Sequence, residues 1–338
     1  MKTIVLTIDP NEPSAEAIAE AARVLRAGGL VAFPTETVYG LGANALDVSA
    51  VLRIFGAKGR PANNPLIVHV ADSAAARNLA TDWPDSAARL AARFWPGPLT
   101  LVLRRCDTVP DVVTASGPTV AVRVPAHPVA QALVRAAGVP IAAPSANRST
   151  QLSPTRAEHV LHSLDGRIDL LLDGGPTTGG LESTVLDLTA TPPRLLRPGL
   201  VGIAELESLL GPLTRAMPVG QALQPDRPQP LPSPGLLPRH YAPHTPLECV
   251  ETANTERILT LQREGQRIGW VTFDVAGDTP SGVVRRVLPA NSAGYAAHLY
   301  AVLHELDALG LDRIIVVLPP DTDDWLAVRD RLRRAATD

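Results

Sequence analysis

Apolar positions along the first two hundred residues alternate between two spacings. Residues 14–27 place Ile18, Ala22 and Leu25 on one helical face, and Gly28-Gly29 closes the run, which predicts a core-facing helix. Leu30 to Phe33 reads as a short buried strand, and Asp47 is placed to cap a helix whose inner face is Val51, Ile54 and Phe55. Compact apolar runs predict strands at 66–70, 99–103, 120–124, 141–143, 170–173, 184–188 and 195–197, with helices over 86–94 and 127–137 between them. Residues 1–9 read as one more short strand. Such interleaving in one compact unit, residues 1–210, predicts an α/β or α+β class.

The pattern breaks after Leu210. Residues 211–246 hold ten of the chain's 33 prolines, including the run Pro225 to Pro238. Proline lacks an amide donor and fixes φ, so this stretch predicts a stiff, extended linker and excludes a helix or an inner strand. Beyond it, 267–275 and 313–318 read as strands and 292–308 and 325–335 as helices. Residues 247–338 are therefore expected to form a second α/β domain of about ninety residues. No internal repeat is visible.

Composition narrows the function classes. Of 338 residues, 45% are hydrophobic and only 4% aromatic, so Ala, Val, Leu and Pro must fill the core. A net charge of −3 leaves no generally basic surface, and any nucleic-acid contact would be a local patch. The arginines at 329, 331, 333 and 334 read as a solvated helix face. Two cysteines far apart, Cys106 and Cys249, give neither a disulfide framework nor a zinc spacing. The N-terminus has no signal-peptide pattern, and no run reaches the ~20 apolar residues of a membrane span, so a cytoplasmic protein is expected.

Four polar stretches lie at strand ends, where α/β proteins place ligands. In Phe33-Pro34-Thr35-Glu36-Thr37-Val38-Tyr39-Gly40 a strand runs out into hydroxyls, a carboxylate and glycine. The following Gly40-Leu41-Gly42-Ala43-Asn44-Ala45 imitates a dinucleotide fingerprint, but six residues separate it from the strand and no helix opens there. In Lys58-Gly59-Arg60-Pro61-Ala62-Asn63-Asn64-Pro65 a point charge and a planar fork flank a glycine, a pairing suited to a phosphate chain, and His69 follows. Arg123 sits inside an apolar strand, where it must meet either an internal carboxylate or an anionic ligand. Pro144-Ser145-Ala146-Asn147 lacks the elbow of a hydrolase nucleophile; its short polar side chains, with Ser153 nearby, suit hydrogen bonds to phosphate or sugar. Glu182-Ser183-Thr184 and Arg197 flank the last two strands of the unit. There is no Walker loop, and no carboxylate cluster suggests a protein-built metal cage, so no protein-built metal site is expected. This inventory favours electrostatic stabilisation of phosphate chemistry over covalent catalysis.

In their order, PTETVYGLG, KGRPANNPLIVHV, FWPGPLTLVL, VRVP, PSAN, ESTV and LLRPG resemble the YrdC-like domain across residues 10–210. The downstream SPG and RHYAP segments with the terminal domain resemble the two-domain form of the threonylcarbamoyl-AMP synthase family. The resemblance implies a twisted mixed sheet with surrounding helices and a concave active-site face, joined through the proline-rich linker to a small Rossmann-like domain. It implies a nucleotidyltransferase that combines L-threonine, bicarbonate or carbon dioxide, and ATP, with Mg2+ arriving on the ATP. The product would feed the tRNA threonylcarbamoyl-transfer machinery, with tRNA itself in weak contact at most and no membrane involved. Thr37, His69, Arg123, Ala143 and Ser183 would hold threonine. Lys58, Arg60, Asn64, Thr119, Ser145, Asn147, Ser153 and Arg197 would hold ATP, Tyr241 would close over it, and Lys58 and Arg60 would be catalytic. One departure is Ser233-Pro234-Gly235-Leu236-Leu237-Pro238, where relatives often have a lysine and a tyrosine after the glycine. Two rivals remain: a carbamoyl-adenylating enzyme of hydrogenase maturation, whose extra segments this chain lacks, and an RNA-binding module of translation.

Overall fold

A computed structural model describes residues 2–215, 240–252, 255–273 and 278–336. Among these residues the chain forms two sheets. The larger takes β1 (Ile4–Thr7), β2 (Val31–Phe33), β3 (Gly40–Asn44), β4 (Ile67–His69), β5 (Leu99–Arg104), β6 (Thr119–Arg123), β7 (Ile141–Ala142), β8 (Leu170–Asp173), β9 (Thr184–Asp187), β10 (Arg194–Arg197) and β11 (Thr214–Arg215). Their spatial order is β1-β8-β2-β3-β7-β4-β6-β5-β9-β10-β11, with parallel and antiparallel pairs mixed. Apolar clusters lie against it, one around Leu41, Ile54 and Val122, another around Ile18, Phe33 and Leu133. The smaller sheet, β12 (Leu247–Val250), β13 (Ile268–Thr272), β14 (Val284–Val287) and β15 (Arg313–Val317), is wholly parallel in the order β12-β15-β13-β14. Mixed α/β architecture with a second, parallel-sheet unit agrees with the expected class.

Local chemistry sets the elements that carry the polar stretches. Asp47 accepts from the Ser49 and Ala50 amides and starts the helix Val48–Lys58. Gly59, at φ 62°, ends it in the left-handed region that favours glycine, so Lys58 and Arg60 leave the helix end in different directions. His127 and Pro128 open the helix Pro128–Ala137 in the same economical way. The dinucleotide-like Gly40–Asn44 is neither loop nor phosphate cradle but strand β3, paired antiparallel with β2 and β7. A Cβ on Gly42 would lie 2.8 Å from Ile141 and from the Phe33 ring, so this glycine permits close packing inside the sheet.

The two sheets are not independent bodies joined by a tether. Val38, Leu152, Leu181 and Tyr241 share one buried cluster with Leu247, Tyr295, Leu299, Tyr300 and Trp325. Gly180, at φ 73°, lies so close to the helix Ser292–Asp307 that a Cβ there would sit 2.3 Å from the Ala296 carbonyl oxygen. The arginines expected on a solvated face are a correction: Arg329 and Arg331 are buried, because the helix Leu326–Ala335 turns them into ion pairs rather than water. The linker reading over 216–239, including Pro225 to Pro238 and Ser233 to Pro238, lies outside the described residues.

A cleft of about 650 Å3 between the two units gathers His159, His162, His244, His298 and His304. His159 and His304 stack across it with centroids 3.8 Å apart. Burial, followed by the charge of His304, takes His159 down to about 3; burial takes His304 to about 4. The unfolded chain therefore binds protons below pH 6.5 that the folded one refuses, and stability falls as pH drops from 6.5 toward 4. Discounted for solvent, the pair should lose on the order of 1–3 kcal/mol between pH 7 and 5. His304→Phe should flatten this acid-side decline in Tm, and a decline as steep as that of the wild type would refute the assignment.

Candidate active site

A cavity opens where β3, β4, β6, β9 and β10 end. It is lined by Thr35, Thr37, Arg60, His69, Arg123, Ala143, Ser145, Glu182, Ser183, Arg197, His240 and Tyr241, among others. All five residues expected to hold threonine meet here, and so do Arg60, Ser145, Arg197 and Tyr241 of the ATP set. About 50 Å3 is free within this lining, of which the buried His240 and Tyr241 form part.

Parallel pairing of β4 with β6 puts His69 directly beside Arg123. All three guanidinium nitrogens of Arg123 are engaged: Nε with the Gly97 carbonyl at 3.1 Å, Nη1 with Thr37 Oγ1 at 3.0 Å, and Nη2 with Glu36 Oε1 at 2.6 Å. The internal carboxylate, one of the two partners expected for this arginine, is Glu36. Burial, followed by the Arg123 charge, holds His69 down at about 3, so its ring is neutral at ordinary pH.

Three cations line or back the other wall. Arg60 donates Nη2 to Asn64 Oδ1 at 2.6 Å and to the Pro65 carbonyl at 2.7 Å, and Nε to the Asn64 carbonyl at 3.1 Å. Arg197 donates to the Ser183 carbonyl and hydroxyl, and Ser183 also bonds Thr100. Lys58 donates Nζ to the carbonyls of Ser145 and Asn147, so it braces the Pro144–Asn147 turn from behind instead of facing it across the cavity. Among the described residues no carboxylate pairs with Lys58, Arg60 or Arg197. Burial, then the Arg60 charge, presses the Lys58 ammonium well below its ordinary value; burial also takes Arg60 down to about 9. Three buried cations with no carboxylate in ion-pair contact, Arg197 feeling Glu182 only at longer range, are costly and mark a site prepared for an anion.

Other expected residues stand around this wall. Asn64 and Asn147 are buried behind Arg60 and Lys58, and Ser153 donates to Glu182. Thr119 is four positions along β6 from Arg123, roughly 13 Å away at strand spacing. It lines a separate hollow of about 280 Å3 with Pro65, Leu66 and Arg194. Glu182, which the sequence marks only as flanking a strand, accepts from Ser153, Tyr300 and Arg331.

The Sua5/YciO/YrdC family model, described as "Telomere recombination", matches residues 23–199. A second model, described as "Threonylcarbamoyl-AMP synthase, C-terminal domain", matches residues 201–337. The chain belongs to the two-domain threonylcarbamoyl-AMP synthase family. Threonylcarbamoyl-AMP synthase of Bacillus subtilis (strain 168) is 45% identical over 97% of this chain and 94% of its own length. The Pyrococcus abyssi protein of the same name is 44% identical over 94% of this chain and 93% of its own. A crystal structure of P. abyssi Sua5 complexed with L-threonine superposes with a TM-score of 0.92 at 42% identity, covering 99% of this chain and 98% of that one. Escherichia coli YciO matches at a TM-score of 0.54 and 28% identity, covering 59% of this chain and 96% of its own.

Proposed function

We propose that this family member condenses L-threonine, bicarbonate or carbon dioxide, and ATP into threonylcarbamoyl-AMP and pyrophosphate. The observation that carries the reading is the wall of Lys58, Arg60 and Arg197, buried without a carboxylate partner beside a compartment holding Arg123, Thr37 and His69. The first half suits a triphosphate. The second suits an amino acid, whose carboxylate would join or displace Glu36 on Arg123, with Ser183 and the Ala143 backbone alongside.

In this reading Arg60, Ser145 and Arg197 contact the triphosphate, Lys58 and Asn147 hold the turn bearing Ser145, and Ser153 and Asn64 support from behind. The hollow at Thr119 takes the adenosine end. Threonine's amine captures carbon dioxide, and a carbamate oxygen then attacks the α-phosphorus. The new P–O bond forms as the bond to the departing pyrophosphate breaks, and the cations receive the charge. Carbamate is already a nucleophile, so positioning and electrostatics supply most of the rate enhancement. Glu182, which lines the cavity, pairs with Arg331, and Glu36 pairs with Arg123 through one oxygen. Mg2+ would come on the triphosphate and supply charge neutralisation for pyrophosphate. Ligand sites of this class occupy ~300–1,000 Å3, so His240 and Tyr241 must withdraw for ATP to enter and can close over it afterwards. No helix among the described residues is long and apolar enough to cross a membrane. A cytoplasmic enzyme passing its adenylate to the tRNA threonylcarbamoyl-transfer machinery, for the adenosine beside the anticodon, fits this chemistry.

Pyrophosphate release from ATP should require both L-threonine and bicarbonate. Equal release with serine, or without bicarbonate, would refute the assignment.

A further inference from the structure

A buried ion pair ties the last helix of the second domain to the wall of the cavity. Arg331 has no exposed side-chain surface; its Nε donates to Glu182 Oε2 at 2.8 Å and its Nη1 to the Pro198 carbonyl at 2.9 Å and to Asp330 at 2.8 Å. Its guanidinium carbon lies 5.1 Å over the ring of Tyr241, which lines the cavity. Tyr300, from the helix Ser292–Asp307, donates to the same Glu182 carboxylate at 3.2 Å. Tyr241 adopts φ 63°, an uncommon conformation for a bulky residue, and is held between these groups and the bond from the Ala242 amide to the Thr150 carbonyl at 2.9 Å.

Buried ion pairs often add little stability compared with apolar substitutes, so stability alone is a weak reason to place one here. Glu182 lines the compartment that receives the triphosphate. Burial alone would raise its carboxyl, yet Arg331, then Arg197 and the Ser153 hydrogen bond, hold it at about 2 and keep it anionic. An anion in that wall would repel phosphate unless a cation from outside the compartment balanced it. Arg331 is that cation. If it were lost, Arg197, which already acts on Glu182, would be left as its main cation and drawn away from the substrate side.

We propose that Arg331 is a positioning residue for the nucleotide site: by neutralising Glu182 and backing Tyr241, it leaves Arg197 free for the triphosphate. The second domain is thereby a working wall of the catalytic cavity. This rests on the ATP reading above. It requires a charge balance, whereas a merely structural contact requires only packing, and the two respond differently to a second substitution.

The experiment is steady-state pyrophosphate release with ATP or threonine varied. Arg331→Met should raise KM for ATP about tenfold or more while changing KM for threonine by less than about threefold. Adding Glu182→Gln to it should bring KM for ATP back to within about threefold of wild type, since the uncompensated anion is gone. An unchanged KM for ATP in Arg331→Met, or a double variant no better than the single, overturns the proposal. If Arg331→Met fails to fold, Glu182→Gln alone decides: KM for ATP should stay level or fall, and a tenfold rise overturns the idea. Wild-type protein that releases no pyrophosphate with threonine and bicarbonate would instead defeat the reading of the reaction itself.

Discussion

Arg60→Ala should lower kcat/KM for ATP by about 10²–10³-fold with the fold intact, the range typical of removing one preorganised charge donor. Arg60 reaches the cavity from the residue after Gly59, with Nε and Nη2 tied to Asn64 and Pro65. Among the described residues Nη1 donates to none of these groups and is the edge left for a ligand. Those bonds fix the planar fork before any phosphate arrives, so no reorganisation is needed during the reaction. Arg60→Lys should recover little, at most about tenfold, because an ammonium cannot hold the Asn64–Pro65 backbone and a phosphate oxygen together. Kinetics of both variants with circular dichroism as a control measure this; near-normal turnover in Arg60→Ala would remove the residue from the mechanism.

Lys58→Met should cost at least about a hundredfold in kcat/KM while shifting Tm by only a few degrees. Removing a buried ammonium that lacks a carboxylate relieves a desolvation penalty of several kcal/mol. Leaving the Ser145 and Asn147 carbonyls without their donor costs about 1–3 kcal/mol each. The two effects offset in stability but not in function, since Ser145 then sits on an unbraced turn. A large fall in Tm that accounts for the lost activity would make Lys58 a stability residue only.

Much of this was legible in the residues, for identifiable reasons. Helices announced themselves where a cap and an apolar face coincide, as at Asp47 with Val51 and Ile54. Strand β3 was not legible, because Gly40 and Gly42 carry no β-propensity and their role, letting Phe33 and Ile141 approach, exists only in the sheet. Short helices such as Ser73–Arg77 and Asp111–Thr114 are less than two turns long, too short to set a period. At the site, the motifs marked which segments converge, but not which way each side chain turns: Lys58 faces backbone carbonyls and Arg123 meets Glu36. Arg331 was beyond reach for a different reason. A charged residue on a helix reads as solvated until the surface it packs against is known, and Glu182 lies 149 positions away.

That separation also sets a timetable for synthesis. Strands β1 to β10 of the larger sheet can pair once β8 to β10 have emerged, and Lys58, Arg60 and Arg197 are then all present. The Glu182 carboxylate nevertheless stays without its main cation until residue 331 has been made and the last helix has docked. A nascent chain halted between those points would carry the first sheet's strands β8 to β10 without Arg331 against Glu182.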